Sequence, residues 1–130
     1  MKKITIIDGQ GGKIGKTIIE QLKKVHPEQE LYAIGTNALA TAAMLKAGAD
    51  YGATGENPCV VNAEDSDIII GPIGIVIANA LLGEITPKIA PISALIEKPI
   101  VINMKNEGKY PVIFKVVINQ KLNRLLTVNP

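Results

Sequence analysis

The chain has 130 residues, 47% hydrophobic and 20% charged, enough for one globular domain (1–130) that buries about two-thirds of its unfolded surface. Fourteen basic residues against twelve acidic ones give a net charge of +2, and Tyr32, Tyr51, Tyr110 and Phe114 are the only aromatics, so neither the basic footprint nor the stacking platform of a nucleic-acid binder is present. The single cysteine, Cys59, excludes an internal disulfide and a cysteine-based zinc site.

Lys3 to Ile7 is a short β-branched run ending at Asp8, the pattern of a buried parallel strand. Ile14, Ile18, Ile19, Leu22 and Val25 then recur at helical spacing with charged residues between them, giving an amphipathic helix that stops near His26-Pro27. His26 suits the negative end of that helix rather than chemistry. A second strand covers Leu31 to Ile34. Thr36 or Asn37 caps a second, alanine-rich helix through Lys46, which Gly48 closes.

A third strand is expected at about Asp50 to Ala53. Asn57 and Pro58 make an N-cap and N1 pair for a short third helix, the crossover that the next parallel strand requires. That strand is Asp67 to Ile70, ending at Gly71-Pro72. A helix from about Ile75 to Leu82 and a further helical piece from Pro87 to Ile96 follow. Ile100 to Asn103 reads as a fifth strand and Val112 to Ile118 as a sixth, antiparallel if "KNEGKYP" is a hairpin loop; Gln120 to Leu126 reads as a terminal helix. The whole is an α/β, doubly wound, mostly parallel sheet with an antiparallel C-terminal edge strand.

Such a sheet binds ligands beyond the carboxyl ends of its strands. There stands "DGQGGKIGKT": Asp8, Gly9, Gln10, Gly11, Gly12, Lys13, Ile14, Gly15 and Lys16, with four glycines within seven residues. Strict G-x-G-x-x-G would need glycine where Ile14 stands. The physical tasks still fit, with Gly9 and Gly11 supplying positive φ, Gly12 admitting a phosphate to the backbone and Gly15 allowing close helix–strand packing. Lys13 and Lys16 in the first helical turn oppose the dipole unless an anion binds beside them. A Walker A loop is excluded by Gln10, which occupies the position of its first glycine. Asp8 reads as an Asx turn holding the loop rather than as an acid or base.

A dinucleotide site carries an acid or arginine after the second strand, where this chain has Gly35, Thr36 and Asn37. Those two polar residues serve either a ribose or phosphate, or the cap of the next helix. Gly71, Pro72 and Gly74 place a second backbone-rich turn at the same edge. Asn79, within the apolar stretch that follows, needs a partner if buried.

"DGQGGKIGK" (8–16), "GTNALATAAMLKAGA" (35–49), "GATGEN" (52–57) and "GPIGIVIANALLGEITPKIA" (71–90) together resemble a family of small bacterial proteins built on a domain of unknown function. The likeness spans about the first ninety residues, with Lys13 standing where the family pattern leads one to expect a further glycine. It implies a Rossmann-like fold and no established activity.

Three functions stand. The first is a module binding a nucleotide or another small phosphate-bearing ligand at the glycine loop, NAD(P) or a mononucleotide being the candidates. The second is a small NAD(P)-dependent oxidoreductase, although Tyr-x-x-x-Lys is absent and Tyr110 to Lys115 has the wrong spacing. The third is a structural or assembly subunit whose glycine loop is empty. The apolar runs are broken by Gly, Pro and Glu, so no membrane partner is expected. With no signal-type stretch at the start, a cytoplasmic location is. The segment Ile73 to Leu82 carries Ile73, Ile75, Val76, Ile77, Leu81 and Leu82, as a helix too many apolar faces for one sheet contact, and predicts a homo-oligomer, a dimer.

Overall fold

A computed structural model of the chain describes residues 2–90 and 100–103, and strands and helices alternate strictly as far as the fourth strand. The first strand, β1 (Ile4–Asp8), is buried at every position and lies at the centre of the sheet. It leads into helix α1 (Lys13–Val25), then β2 (Leu31–Gly35), α2 (Ala38–Lys46), β3 (Tyr51–Thr54), α3 (Glu56–Asp65) and β4 (Ile68–Pro72). Strand β5 (Ile100–Asn103) pairs with β4 on its far side from β1. The strand order is β3-β2-β1-β4-β5 and every pairing is parallel. This is an α/β Rossmann-like fold, whose order reverses at β1.

Alternation along the strands divides the core in two. Ile4 and Ile6 of β1, Leu31 and Ala33 of β2, and Ile68 and Ile70 of β4 pack under Ile18, Ile19 and Leu22 of α1 and Ala40 and Met44 of α2. Ile7, Ile34 and Ile69 face the other way, onto Cys59 and Ala63 of α3 and onto Ile75, Ile85 and Ile89. Ile18 and Ile19 are wholly buried, and each such side chain contributes about 2 kcal/mol. Placing α1 and α2 on one face and α3 on the other is what right-handed crossovers demand as the chain steps outward from β1 and then returns to β4.

The ends of α1 and α2 follow local chemistry. Before Pro27, α1 stops at its cap His26, with Lys23 and Lys24 in the last turn. Asn37 caps α2 by accepting the Ala40 amide, and Gly48 follows the Ala47 cap at φ +120°. Of the alanines in α2 only Ala40 is fully buried; Ala38 and Ala42 face outward.

The third helix differs from expectation at its start. Gly55 is the cap, so Asn57 and Pro58 lie inside the first turn. Proline is tolerated there because first-turn amides have no helical acceptor.

The larger departure follows β4. No helix forms from Ile75 to Leu82: a single 3₁₀ turn spans Ile73–Val76, and the chain then reverses through Asn79, Leu81, Leu82 and Gly83, all at positive φ. The Asn79 amide donates to the Ile85 carbonyl at 2.6 Å, and the Asn79 side chain is exposed rather than buried in a helix. The turn sends Ile75 and Ile85 into the core and leaves Ile77 and Leu82 outside. The all-apolar helix on which the dimer was predicated is therefore not formed. A helix opens at Ile89, whose amide meets the Thr86 hydroxyl, but its course beyond Ala90 lies outside the described residues. So do the antiparallel strand expected at Val112 to Ile118 and the helix expected at Gln120 to Leu126. Among the described residues no helix is long and apolar enough to cross a membrane.

Candidate functional site

Parallel pairing brings the strand ends to one edge. Asp8 stands beside Gly35 in register, and the Thr36 amide donates to the Asp8 carbonyl at 3.0 Å. The glycine loop and the start of α2 are thereby neighbours.

Asp8 is 4% exposed, and its two oxygens accept the Gly9 and Gly15 amides, each at 2.7 Å. The Asx turn read from the sequence is not formed, because the amide two residues on, that of Gln10, donates to Glu84; Asp8 holds the loop through Gly9 and Gly15 instead. With no acidic residue in the first turn of α1, this carboxylate is the anion at the helix start. Burial raises the carboxyl above its ordinary value, opposed by the Gly15 and Gly9 amides and reinforced by the charge of Glu84.

Positive φ occurs at Gln10 (48°) and Gly12 (71°), not at Gly9 or Gly11. The remaining glycines also divide differently from expectation. A Cβ on Gly12 would lie 2.8 Å from the Ala40 Cα, so this glycine admits α2 rather than a phosphate. A Cβ on Gly15 would meet Met44 of α2 first and Asp8 of β1 next, so the close packing expected against the strand is shared with the second helix. Gly11 alone is open: it is exposed, and nothing lies within 4 Å of where its Cβ would stand. Among the described residues, neither the Gly11 nor the Lys13 amide has a hydrogen-bond partner, whereas the Gly12 amide is used by the Gly9 carbonyl at 2.9 Å. Ile14 is half-buried against the core, and Lys13 and Lys16 are exposed, Lys16 standing 3.9 Å from Glu20.

The residue that sequence reasoning missed is Glu84. Its Oε1 accepts the Thr36 hydroxyl at 2.6 Å, the Asn37 side-chain amide at 2.7 Å and the Gln10 backbone amide at 3.0 Å. Asn37 thus both caps α2 and belongs to this cluster, and its amide also donates to the Gln10 carbonyl at 2.9 Å. Partial burial works against the Glu84 charge, but the Thr36, Gln10 and Asn37 donors outweigh it and hold the carboxyl below its ordinary value. One signal was available. Glu84 is the only charged residue between Asp67 and Lys88.

The structure does not bring the second expected turn into this cluster. Gly71 and Pro72 are buried within β4, Gly71 because a Cβ would run into the Ile7 carbonyl. Gly74 lies in the 3₁₀ turn, too short to present a helix N-terminus.

The strand order and the glycine turn after β1 define a Rossmann-like α/β protein. Within that class the chain belongs to the family of a domain of unknown function, DUF3842, which matches residues 3–123 and so extends well past the motifs of the first ninety residues. No curated protein and no solved structure matches the chain.

Proposed function

We propose that the protein binds a nucleotide or another small phosphate-bearing ligand at the carboxyl edge of the sheet, with the phosphate against the Gly11 and Lys13 amides. The observation that carries this reading is the open Gly11: exposed, free of neighbours on its Cβ side, with its own amide and that of Lys13 unpartnered among the described residues. Lys13 and Lys16, in that first turn, add positive charge with the helix dipole behind it. NAD(P) and mononucleotides carry the required group.

A second reading has its own support. Asp8 and Glu84 already satisfy the Gly9, Gly15 and Gln10 amides from within the chain, as a purely structural turn would.

Thermal denaturation with inorganic phosphate, AMP, NAD and NADP separates the two. A ligand at about 100 times its Kd adds about 2.7 kcal/mol, a readily measured rise in Tm. Gly11→Asp should melt like wild type without ligand and lose the shift, because its carboxylate would stand where the phosphate binds. No shift with any probe, or the same shift in Gly11→Asp, favours the structural reading.

A further inference from the structure

Dinucleotide sites hold the ribose 2′-hydroxyl on an acidic residue at the end of the second strand. That position is empty of acid in the sequence, since β2 ends at Gly35 and continues into Thr36 and Asn37. The fold supplies the charge from elsewhere. Glu84, 48 residues after Thr36 in the chain, is held against the end of β2 by the Thr36 hydroxyl and the Asn37 amide.

The donors fall unequally on its two oxygens. Oε1 takes Thr36, Asn37 and Gln10, while Oε2 has only a 3.2 Å contact with the Gln10 amide among the described residues. A carboxylate oxygen accepts about two hydrogen bonds, so Oε2 has capacity left for a hydroxyl donor. The cluster lies on the β2 side of the glycine loop, whereas the open amides of Gly11 and Lys13 lie toward α1. Glu84 meets the loop at the Gln10 amide, one residue before Gly11, so a nucleotide with its phosphate at the loop would have its ribose on the Glu84 side. Glu84 has a second effect: its negative charge stands where the 2′-phosphate of an NADP-type ligand would lie, and like charges brought together cost several kcal/mol.

Resting on the phosphate reading above, we propose that Glu84 is the ribose-binding residue of this site and sets its specificity: the ligand is a nucleotide with a free ribose 2′-hydroxyl, and 2′-phosphorylated nucleotides are rejected.

The test uses the full chain and three probes sharing a 5′-phosphate: AMP, 2′-deoxy-AMP and adenosine 2′,5′-bisphosphate, titrated calorimetrically. In wild type, 2′-deoxy-AMP should bind about tenfold more weakly than AMP, the loss expected for one hydrogen bond to a charged acceptor. The bisphosphate should be weaker by about tenfold or more. Glu84→Gln keeps the shape and the acceptor for Thr36 but loses the charge. It should weaken AMP and bring the bisphosphate to within about threefold of it. If Glu84→Gln does not fold, the order of the three probes in wild type still decides. Bisphosphate binding as tightly as AMP overturns the assignment of Glu84 and leaves the phosphate reading standing, as does an unchanged ratio in folded Glu84→Gln. Wild type indifferent to all three probes sinks the phosphate reading and this assignment with it.

Discussion

Replacing Gly12 and Gly11 by alanine, one at a time, compares two adjacent glycines on which the structure places opposite demands. Gly12 has φ 71° and ψ 16°, a left-handed conformation that costs an L-residue about 1–2 kcal/mol. Its new methyl would stand 2.8 Å from the Ala40 Cα and 2.9 Å from the Ala40 carbonyl oxygen. Carbon contacts are comfortable at about 3.5 Å or more, so α2 and the loop would have to part by roughly 0.7 Å. Such overpacking costs about 1–3 kcal/mol, making the expected loss about 2–5 kcal/mol in all. That is a large part of the stability of an ordinary domain, about 5–15 kcal/mol, and lowers Tm by about 10 °C or more. Gly11 has no positive φ and no atom within 4 Å of the new methyl. Gly11→Ala should be neutral, or gain up to about 1 kcal/mol by restricting the unfolded chain. Urea denaturation followed by far-ultraviolet circular dichroism measures both. Gly12→Ala within about 0.5 kcal/mol of wild type, or Gly11→Ala the more damaging of the two, would refute the packing assigned to this loop.

Asp8→Asn turns an amide NH2 toward one of two buried backbone donors, Gly9 or Gly15, and should destabilise by about 1–3 kcal/mol. Because burial raises the Asp8 carboxyl, its contribution to stability is fully present below the unfolded value of 3.8 and is lost as pH rises through the folded one. The advantage of wild type over Asp8→Asn should therefore narrow as pH rises above 3.8 in urea titrations, and widening would contradict it. Cys59 is 1% exposed and its thiol is pushed by burial up to about 12, so a thiol-specific reagent at pH 8 should label it only as fast as the protein opens. Immediate labelling of the native protein would show that α3 does not seal it against the sheet.

Where a residue's neighbours in sequence decide its structure, the sequence was readable. The runs of Lys3 to Ile7, Leu31 to Ile34 and Ile100 to Asn103, and the Asn37 cap and closing Gly48, formed with shifts of a residue at most. The stretch after β4 was not readable, because Ile, Val, Ala and Leu in nearly every place carry neither the period of a helix nor that of a strand. Its shape is decided by the core instead, which takes Ile75 and Ile85 and forces the reversal between them. Glu84 stood out as a lone charge in that stretch, but nothing near it in sequence said what it meets. Its partnership with the Gln10 amide joins positions 74 apart, and no local pattern reports such a pairing.

The same accounting bears on the glycine loop. Four glycines in seven residues argue for a ligand only if the turn itself does not use them. Three are used. Gly12 admits the backbone of α2, Gly15 admits Met44, and a Cβ on Gly9 would press on the Thr36 hydroxyl and the Glu84 carboxylate. Gly11 has no such neighbour, and its backbone conformation is open to any residue. The case for a ligand thus narrows from a glycine-rich composition to one position and the amides beside it. At that position a substitution separates binding from folding, since the fold makes no demand there: Gly11→Asp would act only on a ligand's phosphate, whereas Gly12→Asp would disturb α2 first and leave any loss of binding ambiguous.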